Sequence, residues 1–271
     1  MTRAGSIGGP RPVCGVILHP SGHTLSPTLH RAAYEALGID ADFVAFDVSP
    51  DRLEKAIDGM RGLGIRQLAV SLPHKERALD LADRATDDAR AIGAANTLTL
   101  EGDEIVAENT DWIGVVRALE PHGSLEGWRA TVVGAGGAAR AVVYALRKLG
   151  LEIAITGRTP ERVESLVAAL GGRTGSLDDP YDLLVNATPL GMVPDVESTP
   201  APCGALRRGA LVFDTVYRPL ETRLLREARE RGCRTQDGLD MLVHQAVEQI
   251  RIWSGKSPDA GAMRRAAEKV L

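Results

Sequence analysis

Apolar runs of strand length alternate with helix-like segments along most of the chain. In the first half, strand-like runs at 13–18, 41–48 and 65–71 are separated by helical patterns at 26–38 and 49–64. Strands that alternate with helices pair mainly in parallel, because each helix carries the chain back to the edge where the previous strand began. This order therefore predicts an α/β fold with a mainly parallel sheet and helices on its faces.

A second alternating unit begins after residues 120–128, a segment rich in Gly, Pro and Ser that is the best candidate for a linker. Before it, residues 97–109 are predicted to form a hairpin that turns at Glu101-Gly102-Asp103. A length of 271 residues suits one large domain or two medium ones. The strands predicted in the second unit are 130–136, 151–157, 181–188 and 210–216, and the helices are 137–150, 159–172, 222–232 and 238–255.

Two helices of the first half carry boundary signals. Ser26 is predicted to be the N-cap of the helix at 26–38, with Pro27 in its first turn and Gly38 as its C-terminal stop. The helix at 49–64 shows the same Ser-Pro start and Gly end. The last predicted helix, 238–255, is apolar over a broad face, so it is expected to pack against one of the two domains.

The composition limits the functions that are expected. A formal net charge of −4, with dispersed Lys and Arg, gives no support for nucleic-acid binding. No stretch approaches the roughly 18 apolar residues of a membrane span, and residues 1–12 lack the apolar core of a signal peptide, so a simple tail is expected. Cys14, Cys203 and Cys233 lie far apart without metal-binding spacing, so we expect no metal site and a reducing, cytoplasmic setting.

The string TVVGAGGAARAVVYAL carries G-x-G-x-x-A at Gly134, Gly136 and Ala139. It follows a β-branched strand and opens a helix, which is the context of a dinucleotide-binding turn. Gly134 permits the tight turn, Gly136 lets the backbone approach a pyrophosphate, and the helix start supplies free N–H groups. The alternative is a tight turn without a ligand. The candidate cofactor-binding residues here are Gly134, Ala135, Gly136, Gly137 and Ala138.

The end of the next strand indicates which dinucleotide is bound. An NAD site usually has an acidic residue there, whereas this chain has Arg158, followed by Thr159 as a candidate N-cap and by Arg162. Guanidinium groups bind a 2′-phosphate with paired hydrogen bonds, so NADP is favoured over NAD. The alternative is that both arginines are solvated surface charges.

The string NATPLGM at 186–192 also follows a predicted strand. A loop at the carboxyl edge of a parallel sheet lies where ligands bind, so Thr188 and Met192 are candidates for the wall of the cofactor site. An ordinary Pro-Gly loop is the alternative. Elsewhere, spacing alone favours Asn96 as a turn residue and Asp111 as an acid at a helix start.

Taken together, these motifs resemble the shikimate dehydrogenase family, including its shikimate dehydrogenase-like branch, from about residue 13 to 265. The resemblance covers most of the chain and keeps the family's order. It is carried by HPSGHTLSPTLH (19–30), AVSLPHKE (69–76), IGAANTL (92–98), ENTDWIG (108–114), GAGGAAR (134–140), GRTPER (157–162), NATPLGM (186–192), DTVYRPLETRLL (214–225) and GLDMLVHQAVEQ (238–249).

The resemblance implies two α/β domains with a cleft between them and reversible hydride transfer between NADP(H) and shikimate or 3-dehydroshikimate. The substrate domain is expected at 1–111 and is completed by the C-terminal helices at 238–271. A Rossmann-type NADP domain is expected at 112–237. Other hypotheses are a quinate/shikimate or aminoshikimate dehydrogenase, or a non-catalytic NADP(H)-binding regulatory module. A monomer or a homodimer is expected.

Residue roles follow from the matching motifs. The resemblance implies that Lys75 and Asp111 are catalytic and that Gly238 contacts the cofactor. The residues expected to bind the substrate are Thr24, Ser26, Ser71, Asn96, Tyr217 and Gln245. Thr24 and Ser71 stand where the family has serine and threonine, so a hydroxyl is kept at each position. Ala69 stands where the family has asparagine, which removes an amide and makes the choice of substrate less certain.

Overall fold

The computed structural model describes residues 11–22 and 24–271. The predicted tail at 1–12 lies almost wholly outside these residues. The described chain forms two six-stranded sheets, one built from residues 13–108 and the other from residues 129–236. The predicted α/β fold with two sheets is therefore confirmed. Among the described residues, no helix has both the length and the apolar character needed to cross a bilayer.

The first sheet is mixed. Its strands are β1 (Val13–Leu18), β2 (Asp42–Asp47), β3 (Gln67–Val70), β4 (Arg84–Ala85), β5 (Thr97–Glu101) and β6 (Glu104–Glu108). Their order is β2-β1-β3-β5-β6-β4. Strands β2, β1 and β3 pair in parallel, while β5 and β6 form the predicted hairpin, which is antiparallel to β3.

Helices follow most of these strands. They are α1 (Ser26–Leu37), α2 (Leu53–Leu63), α3 (Lys75–Asp80), α4 (Asp87–Ile92) and α5 (Asp111–Leu119). The first helix stops as predicted at Gly38, which is left-handed at φ 61°. The prediction of its start was wrong: Leu25 is the N-cap and Ser26 is the first helical residue. Leu25 provides no side-chain cap, and Thr24 Oγ1 accepts the Ser26 N–H at 3.3 Å.

The second sheet is parallel throughout. Its strands are β7 (Arg129–Val133), β8 (Glu152–Thr156), β9 (Arg173–Thr174), β10 (Leu183–Asn186), β11 (Leu211–Asp214) and β12 (Arg234–Gln236). The order β12-β11-β10-β7-β8-β9 runs outward in both directions from the pair β7 and β10. This is the doubly wound arrangement, in which ligands bind where the strand order reverses.

The remaining helices are α6 (Gly137–Lys148), α7 (Pro160–Leu170), α8 (Arg223–Glu230), α9 (Gly238–Ser254) and α10 (Ala260–Glu268). Helix α9 joins the two cores. Its Met241 packs in the core around β7 and α6, whereas Leu239, Val243 and Ile250 pack in the core around β1 and α1. The broad apolar face predicted for 238–255 thus packs against both halves of the chain.

Several short elements were not predicted: α3, α4, β4, β9 and β12. Each spans six residues or fewer, and periodicity is weak over such lengths. The predicted linker at 120–128 is also more ordered than expected. It contains a 3₁₀ turn, Glu120–His122, and Leu125 is buried in the core around β7.

Candidate active site

Most of the residues expected to act on the substrate lie in segments that follow or precede strands at one edge of the first sheet. The segments after β1, β3 and β6 and the segment before β5 meet there, because β5 runs antiparallel to its two neighbours. The His19 N–H donates to Leu72 O at 3.0 Å, and the Ala95 N–H donates to Lys75 O at 2.8 Å. These backbone bonds fasten the separate segments into one continuous surface.

Lys75 and Asp111 form an enclosed ion pair at this edge. Lys75 begins α3 two residues after Pro73, and Asp111 begins α5. Lys75 Nζ lies 2.7 Å from Asp111 Oδ2, and the two side chains are 14% and 5% exposed. Both residues expected to be catalytic are therefore in direct contact, and the carboxylate fixes the position of the ammonium group.

Asn96 is the hub of the polar network around this pair. Its Nδ2 has three acceptors in reach of its two hydrogens: Asp111 Oδ1 at 3.0 Å, Thr110 Oγ1 at 2.9 Å and Gln245 Oε1 at 3.1 Å. Its Oδ1 accepts the Thr110 N–H at 2.7 Å and the Thr97 hydroxyl at 2.9 Å. A buried amide with this many partners has one allowed orientation. Asn96 therefore sets the orientation of Asp111 and Gln245.

Helix α9 brings Gln245 to the network from the far end of the chain. Gln245 Nε2 donates to Leu242 O at 2.7 Å, which leaves its Oε1 for Asn96. One turn later, Gln249 Nε2 donates to Asn96 O and to the Thr97 hydroxyl, both at 3.0 Å. Gln249 was not predicted, because its role depends on a contact with a residue in the other half of the chain that no local pattern reveals.

The other expected substrate residues present hydroxyl groups at the same edge. Thr24 Oγ1 donates to Ser26 Oγ at 3.3 Å, so these two hydroxyls are adjacent. Ser71 directly follows β3, and Tyr217, in the loop after β11, packs against the apolar core that contains Leu25. Burial raises the pKa of Tyr217 to about 12, so its hydroxyl stays protonated at neutral pH.

Ala69 lies beneath this surface. It is 6% exposed and belongs to the apolar core that also contains Leu18, Leu239 and Val243, against which Tyr217 packs. Where the family has asparagine, this chain therefore has a buried apolar side chain near Ser71.

The glycine-rich turn lies close to the ion pair. Gly136 is the N-cap of α6 and Gly137 is its first residue. A Cβ added at Gly137 would lie 3.1 Å from Lys75 Cβ. A Cβ added at Gly136 would have no heavy atom within 4 Å. The open space over Gly136 and the N–H groups at the start of α6 fit a dinucleotide pyrophosphate, and the side chain of Lys75 passes beside this site.

The loop after β10 lies opposite the glycine-rich turn, at the point where the strand order of the second sheet reverses. Asn186 Oδ1 accepts the N–H and the hydroxyl of Thr188 at 3.0 and 2.7 Å, and Asn186 Nδ2 donates to Asp214 Oδ1 at 2.9 Å. Asp214 also accepts from Thr222 at 2.7 Å. Burial raises the pKa of Asp214 to about 6 against the effect of these donors. This network holds Thr188 in place. Met192, farther along the same loop, is half-buried.

Asn186 and Asp214 were not predicted as parts of this site. Each is a fully buried polar residue that ends an apolar strand, at the edge where the sheet binds ligands. Their position at the ends of strand-like runs was a usable signal. Gly238 has a clear packing role, since a Cβ there would lie 2.4 Å from Thr215 O.

The candidate 2′-phosphate residues follow β8. Thr159 is exposed and is the N-cap of α7 by position, although its side chain makes no capping hydrogen bond. Arg158 directly precedes it. Arg162 lies in the first turn of α7 with a side chain that is 62% exposed. Its Nη2 lies 3.6 Å from Glu76 Oε1, so it faces α3 across the gap between the two sheets.

Three family models match this chain. The shikimate dehydrogenase substrate binding domain matches residues 16–98, shikimate/quinate 5-dehydrogenase matches residues 117–188, and the shikimate 5′-dehydrogenase C-terminal domain matches residues 238–268. The first of these spans the loops that carry Lys75 and Asn96, and the second spans the glycine-rich turn.

Individual relatives match over nearly their full lengths. The shikimate dehydrogenase (NADP(+)) of Thermococcus kodakarensis is 43% identical over 260 residues, covering 93% of this chain and 94% of the relative. That of Symbiobacterium thermophilum is 43% identical over 281 residues, covering 97% and 96%. The crystal structure of shikimate 5-dehydrogenase from Thermus thermophilus, in complex with NADP(H) and shikimate, has a TM-score of 0.91 at 38% identity and covers 96% of this chain and 100% of that one. The chain belongs to the shikimate dehydrogenase family.

Proposed function

We propose that this chain catalyses reversible hydride transfer between NADP(H) and shikimate or 3-dehydroshikimate, in the biosynthesis of aromatic amino acids. The observation that carries the proposal is the position of the Lys75–Asp111 pair. The pair lies in a network with Asn96 and Gln245, and the side chain of Lys75 contacts the start of the dinucleotide-binding helix. A hydroxyl held by the network is therefore also close to the cofactor site.

The cofactor site is assigned to the second sheet. Gly134, Ala135, Gly136, Gly137 and Ala138 would hold the pyrophosphate at the start of α6. Bound NADP supplies the hydride acceptor, and NADPH the donor. Arg158, Thr159 and Arg162 would hold the 2′-phosphate, with Thr188, Met192 and Gly238 around the remainder of the cofactor.

The protein's own groups handle the proton. Oxidation of the 3-hydroxyl releases a proton, and reduction of the ketone requires one. Lys75 is assigned to contact this oxygen, as proton donor or as the positive charge that stabilises the developing alkoxide. Asp111 holds the ammonium group in place at 2.7 Å, and Asn96 holds Asp111.

The remaining polar groups are assigned to the substrate. The adjacent hydroxyls of Thr24 and Ser26 suit a carboxylate, which accepts hydrogen bonds from several donors. Ser71, Asn96, Tyr217 and Gln245 are assigned to the substrate's ring substituents and carboxylate. Ala69 supplies no amide to a substrate, so the residues alone do not select among shikimate, quinate and aminoshikimate. Steady-state rates with each of these, with NADP and with NAD, will identify the preferred substrate and cofactor.

The Lys75→Ala variant tests the catalytic assignment. We expect kcat to fall at least about 10²-fold, a typical contribution of a positioned acid or base. The rate is followed by the near-ultraviolet absorbance of NADPH, with Lys55→Ala as a control because Lys55 is an exposed lysine on α2. Near-normal turnover of Lys75→Ala would remove this residue from the mechanism. Wild-type protein that binds NADPH but turns over none of the three substrates would favour a non-catalytic binding module.

The domain limits and setting belong to the same proposal. We place the substrate domain at 1–111 with 238–271 and the NADP domain at 112–237, supported by the two sheets and by the return of α9 and α10 to α1. A monomer or homodimer in the cytoplasm is proposed. The three unpaired cysteines are in keeping with a reducing compartment.

A further inference from the structure

Glu76 directly follows Lys75 and faces the second sheet rather than the substrate network. Its carboxylate lies between two arginines of the cofactor half. Oε1 is 3.6 Å from Arg162 Nη2, and Oε2 is 3.9 Å from Arg140 Nε. Both distances are longer than hydrogen bonds, so the carboxylate acts on both cations mainly through its charge.

The two arginines differ in their freedom to move. Arg140 is 17% exposed and is anchored, because its Nη1 donates to Ile92 O at 3.1 Å. Arg162 is 62% exposed, and its guanidinium has Glu76 as an acidic neighbour. Arg162 can therefore turn toward another anion, whereas Arg140 keeps its place beside Ile92.

We propose that Glu76 limits the preference for NADP over NAD by competing with the 2′-phosphate of NADP for Arg162. This inference rests on the proposed function, which assigns Arg158 and Arg162 to that phosphate. Arg162 here faces a carboxylate of the substrate half. A bound 2′-phosphate would pair with the same guanidinium, and its negative charge would lie close to the carboxylate of Glu76. NADH lacks this phosphate, so Glu76 opposes the binding of NADPH but not that of NADH.

The experiment measures dissociation constants for NADPH and NADH by the change in nicotinamide fluorescence, without substrate. The readout is the ratio of the NADH to the NADPH dissociation constant. A general effect on domain closure alters the affinity for both cofactors equally, so it cancels in this ratio. In Glu76→Gln, we expect NADPH to bind about three- to tenfold more tightly and NADH to bind unchanged, as expected for removal of one partly exposed charge. Glu164→Gln, an exposed change on the same helix as Arg162, should leave the ratio unchanged.

A double-mutant cycle identifies the partner of Glu76. The effect of Glu76→Gln on the ratio should vanish in an Arg162→Ala background, since the contested guanidinium is then gone. Arg158→Ala and Arg162→Ala each test the phosphate site by itself.

The outcomes separate the two proposals. If both arginine variants lose NADPH preference while Glu76→Gln leaves the ratio unchanged or lowers it, the phosphate site stands and the role of Glu76 is overturned. If neither arginine variant lowers the ratio, the assignment of the phosphate site itself fails. A gain in Glu76→Gln that persists without Arg162 also overturns the proposed competition.

Discussion

Two glycines of the cofactor turn are predicted to have separable roles. Gly134 has φ of 125°, outside the range of L-residues, and a Cβ there would lie 2.8 Å from Ala187 O and 3.0 Å from Ala187 C. Gly136 has an extended backbone at φ −98° and ψ −171°, and its added Cβ meets no atom within 4 Å. Alanine at 134 should therefore harm the fold, and alanine at 136 should harm only the binding of the cofactor.

The magnitudes follow from these contacts. A strained backbone costs roughly 1–3 kcal/mol, and forcing a side chain against backbone atoms costs a similar amount, so Gly134→Ala should lower the free energy of unfolding by about 3 kcal/mol. That corresponds to a fall in Tm of roughly 6–12 °C for a protein of this size. Gly136→Ala should shift Tm by less than about 2 °C. It should weaken NADPH binding about 10- to 100-fold, the value of one hydrogen bond to a charged phosphate.

Thermal unfolding without cofactor and fluorescence titration with NADPH measure the two effects separately. Gly62→Ala is the matched control, since Gly62 lies inside α2 with no atom within 4 Å of an added Cβ. That control should raise stability by roughly 0.5–1 kcal/mol and leave NADPH binding unchanged. If Gly136→Ala binds NADPH as tightly as the wild type, the hypothesis that the pyrophosphate approaches Gly136 is wrong. Wild-type stability of Gly134→Ala would refute the argument from strain.

Three further predictions concern the buried His30, the polar network of Asn96 and the contact between α5 and α9. Burial lowers the pKa of His30 to about 4 in the folded protein, whereas the unfolded residue takes up its proton at about 6.5, so folding stability falls as the pH drops between these values. Chemical denaturation of wild type and His30→Gln should show their stability difference changing by about 3 kcal/mol between pH 7 and pH 4; a constant difference would contradict a neutral buried imidazole. Asn96→Ala should raise KM for shikimate and lower stability by about 2–3 kcal/mol, because buried partners of Asn96 lose their hydrogen bonds; unchanged kinetics would separate the network from catalysis. Gly114→Ala should lower kcat and Tm together, since its Cβ would lie 2.5 Å from Met241 O and 3.3 Å from Gln245 Cβ; equal activity and stability to wild type would show that α5 and α9 can move apart freely.

Much of the fold follows from local patterns in the sequence, whereas the site depends on contacts between distant residues. The strands β7, β8, β10 and β11 of the second sheet were predictable because each lies in an apolar run, as expected where both faces are covered. The N-cap of α1 was placed one residue too late because Ser26 is a good capping residue, whereas the backbone begins the helix after Leu25, whose side chain cannot cap. Lys75 gained its catalytic interpretation from family motifs, since a lysine after a Pro turn is by itself compatible with an ordinary surface charge.

The crossing of α5 and α9 explains how one network can serve two domains. Helix α5 begins with Asp111 in the substrate network, while its Val115 and Leu119 are buried in the core around β7. Helix α9 carries Gln245 in the network and Met241 in that same core. Both helices therefore connect the core around β7 to the polar network around Lys75, and α9 also packs in the core around β1 through Leu239, Val243 and Ile250. The position of Lys75 then depends on a partner, Asp111, that the second core holds. The proposed chemistry therefore centres on an ion pair whose acid begins a helix that is anchored in the core around β7.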